Sequence, residues 1–163
     1  QHLISNIISE TQKEFKRANY VLQFRLNHPN STAEEKVSYY TMLGDIHRYM
    51  MLLLDPAERK HHIQLALEYY NNGTQLASQE LPSTHKNRLW IAVRYSDFCY
   101  EALHKATKAC NIAFGAFNEA LKDIDQIPEE DYKDVSLMLS MLRDGKTLWT
   151  TEAEEEEENS NTA

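Results

Sequence analysis

From Val37 to Leu54, a valine, tyrosines, methionines and leucines surround one helical segment, and the polar side chains that recur on a single face are Ser38, Thr41, Asp45 and Arg48. Their spacing of i, i+3, i+7 and i+10 is a stripe of the 3.6-residue period. A helix that is apolar on most sides and carries one narrow polar stripe belongs inside a bundle, with the stripe lining a groove. Arg48 and Tyr49 offered together into such a groove suit an anion. Guanidinium pairs with phosphate in a fixed fork, and a phenol adds a donor. The competing reading is a plain ion pair between Arg48 and Asp45.

A later segment repeats the pattern. Leu89, Ile91, Ala92, Val93, Tyr95, Phe98, Cys99 and Tyr100 make it apolar on most sides, while Arg94, Asp97, Glu101 and His104 form a stripe at i, i+3, i+7 and i+10. Two such helices could line one groove. Equally, each stripe could be the solvated side of its helix, and the pattern leaves that choice open.

Stop signals divide the chain into six helices. The first runs from about Leu3 to Leu26 and ends at His28-Pro29-Asn30. Ser31 or Thr32 caps the second, with Glu34 and Glu35 in its first turn, and it stops near Leu54. Asp55-Pro56 restarts the chain as a cap followed by proline at the first helical position, and the third helix continues to about Glu80. Pro82-Ser83-Thr84 precedes the fourth, from about His85 to His104; a break near Thr107 leads to the fifth, through Ile124. Pro128 with Glu129 and Glu130 opens the last, which reaches Trp149. With four glycines, four prolines and no sustained alternation, the fold class is all-α, an array of antiparallel helices joined by short loops.

The formal charge of −8 is mostly local. Thr151 to Ala163 holds six glutamates and no cation, which leaves 17 basic against 19 acidic residues in the body. That balance gives no argument for nucleic acid or a membrane surface as partner. The glutamate run, 151–163, is expected to be a disordered acidic tail behind a helical domain of residues 1–150. No window reaches the length of a membrane span, and no basic-then-apolar signal peptide opens the chain. Cys99 and Cys110 lie in apolar helical patterns and read as thiols of a reducing, cytoplasmic setting. The chain opens at Gln1 within a helical pattern and without a methionine, so a longer protein is expected.

Several segments, in this order and spacing, resemble the 14-3-3 family of phosphopeptide-binding adaptors. They are Val37-Ser38-Tyr39-Tyr40, Gly44-Asp45, Arg48-Tyr49, Thr84-His85 with Arg88-Leu89, and Tyr100-Glu101. Lys108-Ala109-Cys110, Ala116-Phe117-Asn118-Glu119-Ala120, Tyr132-Lys133-Asp134, and Leu142-Arg143-Asp144 leading to Thr147-Leu148-Trp149 continue the pattern to the acidic tail. The resemblance implies a nine-helix cup that dimerises, with itself or a paralogue, through its N-terminal helices. It also implies binding of phosphoserine or phosphothreonine segments in an amphipathic groove, without catalysis, cofactor or metal. This chain resembles the last six helices of that cup.

Carried over by position, the resemblance implies that Arg48 and Tyr49 hold the phosphate, and that Glu101 and Trp149 position the peptide main chain and its flanks. Val93, Leu137, Met138 and Met141 fall on the apolar wall. Four positions depart from the family pattern. Thr41 stands for a groove lysine, Asp97 for an apolar residue, and Arg94 and Gly145 for two asparagines whose amides bind peptide backbone. An amide both donates and accepts, whereas arginine only donates and glycine has no side chain. Each lost hydrogen bond is worth about 1 kcal/mol. Arg94 is therefore expected to meet the phosphate or an acidic flank, unless Asp97 neutralises it.

The alternative function is a diverged module that binds unphosphorylated segments. A di-iron centre is the remaining enzymatic idea, because Glu58 to His61 and Glu101 to His104 have the Glu-x-x-His spacing of such bundles. That chemistry needs inward glutamates from two further helices, and Glu58 lies in a charged turn. His61-His62 near a helix start is expected to be exposed. No Gly-rich phosphate loop and no nucleophile with its base is visible.

Overall fold

The computed structural model describes residues 2–161. Its helices are α1 (His2–Leu26), α2 (Ala33–Met50), α3 (Pro56–Glu80), α4 (Lys86–Glu101), α5 (Ala106–Lys122) and α6 (Tyr132–Asn161). No strand occurs among the described residues. The chain forms two compact units whose boundary, Gly73 to Thr74, falls inside α3.

In the first unit α1 packs along α2. The turn between them is closed by Ser31 Oγ donating to the Arg25 carbonyl at 2.7 Å. A reciprocal cap then starts α2: the Glu35 amide donates to Thr32 Oγ1 at 3.2 Å and the Thr32 amide to Glu35 Oε2 at 2.8 Å. Two orphan donors of the helix start are thereby satisfied. The helix ends at Met50, earlier than Leu54, because the amides of Leu52 and Leu53 turn back to the carbonyls of Tyr49 and Met50 in tighter i to i−3 bonds. Pro56 then opens α3, as expected, and Arg59 Nε reaches the Leu54 carbonyl at 2.9 Å.

Tyr70 of α3 fixes the packing on α2. Its ring is fully buried against Gly44, where a β-carbon would stand 2.6 Å from Tyr70 Cε1. The Tyr70 hydroxyl donates to Asp45 Oδ1 at 2.5 Å. On α1, Leu3, Ile4, Ile7, Tyr20, Val21 and Phe24 are exposed.

The second unit packs α5 against both α4 and α6. Ala106, Ala109, Ala113 and Ala120 line the buried face of α5, and such small side chains let neighbouring helices approach closely. Around them lie Leu89, Ile91, Phe98 and Cys99 from α4 and Val135, Leu139 and Leu142 from α6. Before α6 the chain passes through two short 3₁₀ turns, at 124–126 and 129–131. Surface pairs such as Lys86 with Asp131 add little, about 0–1 kcal/mol each.

The expectation of a disordered acidic tail is corrected here: α6 continues as a helix through Asn161. Extending an existing helix needs no new nucleus, and glutamate is a good helix former. Tertiary contacts add to this. Ala153 is buried, Thr107 Oγ1 donates to the Ala153 carbonyl at 3.2 Å, and Glu156 accepts the amides of Ala106 and Thr107 at 2.8 and 3.0 Å. Lys105, at the start of α5, makes no side-chain cap of its own, so Glu156 supplies it from another helix.

Candidate functional site

Within the first unit, Thr41 and Arg48 of the α2 polar stripe are buried, and Ser38 and Asp45 are half-buried. Thr41 is buried and its hydroxyl donates to the Val37 carbonyl at 2.9 Å, so it stabilises its own helix. Asp45 accepts from Tyr70. Arg48 is only 9% exposed, and Tyr49 next to it is 44% exposed. The Arg48 guanidinium carbon lies 6.0 Å from the centroid of the Tyr49 ring. A guanidinium held away from bulk water attracts an anion more strongly than one at the surface, and the accessible phenol beside it supplies a donor.

A second feature of the same helix escaped the sequence reading. His47 is 5% exposed, and its Nδ1 lies 2.7 Å from His62 Nδ1 on α3. Its ring also stacks on Tyr69, with centroids 5.5 Å apart and planes 16° from parallel. Burial first, then the charges of His62 and His61, push His47 down to about 4. His62 is held below the ordinary histidine value by burial and His61, against the opposing pull of Glu58. Only His61 is exposed as expected; His62 is half-buried. The signal was a histidine inside an apolar run, but its partner lies on another helix.

Within the second unit the candidates separate into packed and accessible groups. Val93 is buried, and Trp149 is 5% exposed. The Trp149 ring stacks on Tyr100 at 5.1 Å, and the Tyr100 hydroxyl donates to Glu152 at 2.9 Å. Trp149 also lies over Gly145, whose missing β-carbon would stand 2.8 Å from Trp149 Cη2. Leu137 and Met141 are exposed on α6, and Met138 is half-buried. Leu148 is exposed as well, and extends the apolar row that Leu137 and Met141 begin; the spacing i, i+4, i+11 was there to be read. On α4 the Arg94 guanidinium lies 5.7 Å over the Trp90 ring, and Glu101 is exposed in the last turn.

The Glu-x-x-His spacings do not converge. Helix α4 ends at Glu101, and His104 lies beyond it with a left-handed φ of 51°, so that pair shares no helical face. Among the described residues, no group of three or more His, Cys, Asp or Glu side chains could hold a metal ion. None of the described helices is long and apolar enough to cross a membrane.

A family model described as 14-3-3 protein matches residues 1–150. A 14-3-3-like protein of Fucus vesiculosus is 45% identical over 132 residues, which is 80% of this chain and 53% of the relative. A 14-3-3-like protein of Pisum sativum is 40% identical over 136 residues, 83% of this chain and 52% of the relative. The checkpoint signal transducer rad24 of Schizosaccharomyces pombe is 42% identical over 127 residues, 77% and 47% of the two chains. The chain thus spans about half the length of these relatives.

Proposed function

This chain belongs to the 14-3-3 family, and from that premise we propose that it serves a non-catalytic adaptor that binds phosphoserine or phosphothreonine segments of other proteins. The observation that carries the reading is Arg48, nine-tenths buried on α2 with the accessible Tyr49 phenol beside it. In this reading the two take the phosphate. Glu101 and Arg94 meet the peptide main chain and its flanks, and Leu137, Met138 and Met141 meet apolar flanking side chains. Val93 and Trp149, being buried, act as packed support. The adaptor works in the cytoplasm as a dimer with itself or a paralogue, and needs neither cofactor, nucleic acid nor membrane. The relative named a signal transducer fits such a role.

One observation favours a second reading, a module indifferent to phosphate. The Trp149 ring occupies the space at Gly145 where the family's asparagine would stand, and Thr41 offers no cation. Fluorescence titration with a phosphoserine peptide and its unphosphorylated twin separates the readings. Preference for the phosphopeptide, weakened by Arg48→Lys and by Tyr49→Phe, supports the first. Equal affinity for both peptides supports the second.

A further inference from the structure

We propose that the His47–His62 pair is an acid-sensitive latch between α2 and α3 that governs anion binding at the adjoining Arg48. The proposal deepens the function given above and rests on it for its binding consequence. Its structural basis is independent. The separation of the two ring centroids, 4.9 Å, exceeds the 2.7 Å between the Nδ1 atoms by about the two ring radii. The two nitrogens therefore lie nearly on the line joining the rings, head to head, which is the geometry of a single proton held between them.

The protonation state follows from burial. His47 Nε2 is buried and has no hydrogen-bond partner. An orphaned buried N–H is costlier than an orphaned lone pair, which assigns the lone pair to Nε2 and the proton to Nδ1. His47 Nδ1–H thus donates to His62 Nδ1. A proton arriving at His62 Nδ1 removes the acceptor and sets two N–H groups against each other. The alternative is for His47 to shift its proton to Nε2, where nothing receives it. The first route loses the bond, and the second keeps it, with His62 now donating, only by burying an Nε2–H that nothing receives; both disfavour the packed arrangement, and the two rings titrate as a unit.

The surroundings do not offset this. From α3 the pair faces His61, which opposes protonation of both rings, and Glu58, which favours it at His62 alone. Tyr69 stacks on His47, and α1 reaches this cluster through Gln23, whose amide donates to the Tyr69 hydroxyl at 2.9 Å. On α2 the charged neighbours are Arg48, one residue on, and Asp45, which holds Tyr70. His47 immediately precedes Arg48 on α2, so a loosened α2–α3 contact at this ring acts on the segment that carries the guanidinium. The pair favours the packed arrangement at neutral pH and withdraws its contribution as pH falls below the ordinary histidine range.

The test compares the wild type with His62→Gln, in which the glutamine carbonyl still accepts from His47 Nδ1–H but does not titrate, and with the exposed-site control His61→Gln. Phosphopeptide affinity and the urea midpoint are measured at about pH 7.5 and about pH 5.5. The peptide phosphate itself titrates near pH 6, equally for all three proteins, so the reading is the excess loss in the wild type. Roughly fivefold or more excess weakening in the wild type and in His61→Gln is expected. Equal weakening in His62→Gln overturns the proposal. Absence of phosphopeptide binding at neutral pH refutes the function instead. In that case the urea midpoints still decide the latch, which requires a larger acid-induced drop in the wild type than in His62→Gln. Should His62→Gln fold poorly, NMR titration of the wild-type imidazoles decides. A His62 transition below the ordinary range, felt at His47, is expected, and an ordinary one overturns the latch.

Discussion

The indole of Trp149 occupies the place of a side chain at position 145, one turn earlier on α6: a β-carbon on Gly145 would come within 2.8 Å of Cη2. A glycine at position 145 leaves room for the buried ring. Placing an amide there with Gly145→Asn is expected to displace the ring from its stack on Tyr100. Overpacking of this kind costs about 1–3 kcal/mol, offset by a few tenths from better helix propensity. Urea unfolding should show a net loss of about 1–2 kcal/mol. In a Trp90→Phe background, which leaves Trp149 as the only indole, its emission should shift to the red. An unchanged midpoint and spectrum would contradict the overlap.

Most of the fold was legible for a local reason. Pro29, Pro56, Pro82 and Pro128 punctuate the chain, Thr32 and Glu35 announce a cap, and apolar periodicity fills the intervals. The site was legible to the level of the stripe. Arg48 and Thr41 proved to face inward, but what each touches depends on the partner helix. The tail was misread because its own composition favours solvation; its order comes from Ala153 and Glu156 meeting the start of α5, a contact about fifty residues distant in sequence. The His47–His62 contact and the Trp149–Gly145 overlap share that character. Each depends on side-chain direction, which spacing alone does not convey.

Gly44 is held by an analogous overlap with a harder wall. The Tyr70 ring is fully buried and anchored through its hydroxyl on Asp45, so it has little room to yield. Gly44→Ala places a methyl 2.6 Å from Cε1. The helix gains about 1 kcal/mol from the better residue, but the strain exceeds that gain, for a net loss of about 1–2 kcal/mol in urea unfolding. In a Tyr70→Leu background the loss should shrink, because the two positions are coupled. A stabilised Gly44→Ala would show that the ring swings aside freely.

Glu156 acts as a cap donated by α6 to the start of α5, and the Thr107 amide is the chief cause that holds its carboxyl below the usual range. A depressed carboxylate contributes stability that is present above its unfolded value and is lost as pH falls through the folded one. Glu156→Gln should therefore weaken protection of the Ala106 and Thr107 amides against hydrogen exchange at neutral pH, and Glu156→Ala should cost about 0.5–2 kcal/mol, in the range of other caps. At strongly acidic pH the wild type should exchange like the variants. Equal protection at neutral pH would mean that the tail helix does not dock.

The two cysteines should differ sharply in reactivity. Cys99 is fully buried in α4, and burial pushes its thiol up to about 11, against the weaker opposing effects of Lys108 and Lys105. Cys110 is half-buried on α5, with Sγ 3.8 Å from the Lys146 carbonyl, and burial raises its thiol as well. The thiolate is the nucleophile, so at pH about 8 only roughly one Cys99 in a thousand is reactive, and that one is covered. Alkylation of the native chain should stop at one label per molecule, on Cys110, and Cys110→Ser should leave the native protein unmodified. Labelling of Cys99 should then follow opening of the α4–α5 core, appearing as urea approaches the unfolding midpoint. Modification of both thiols at similar rates in the native protein would show that this core opens far more readily than its packing requires.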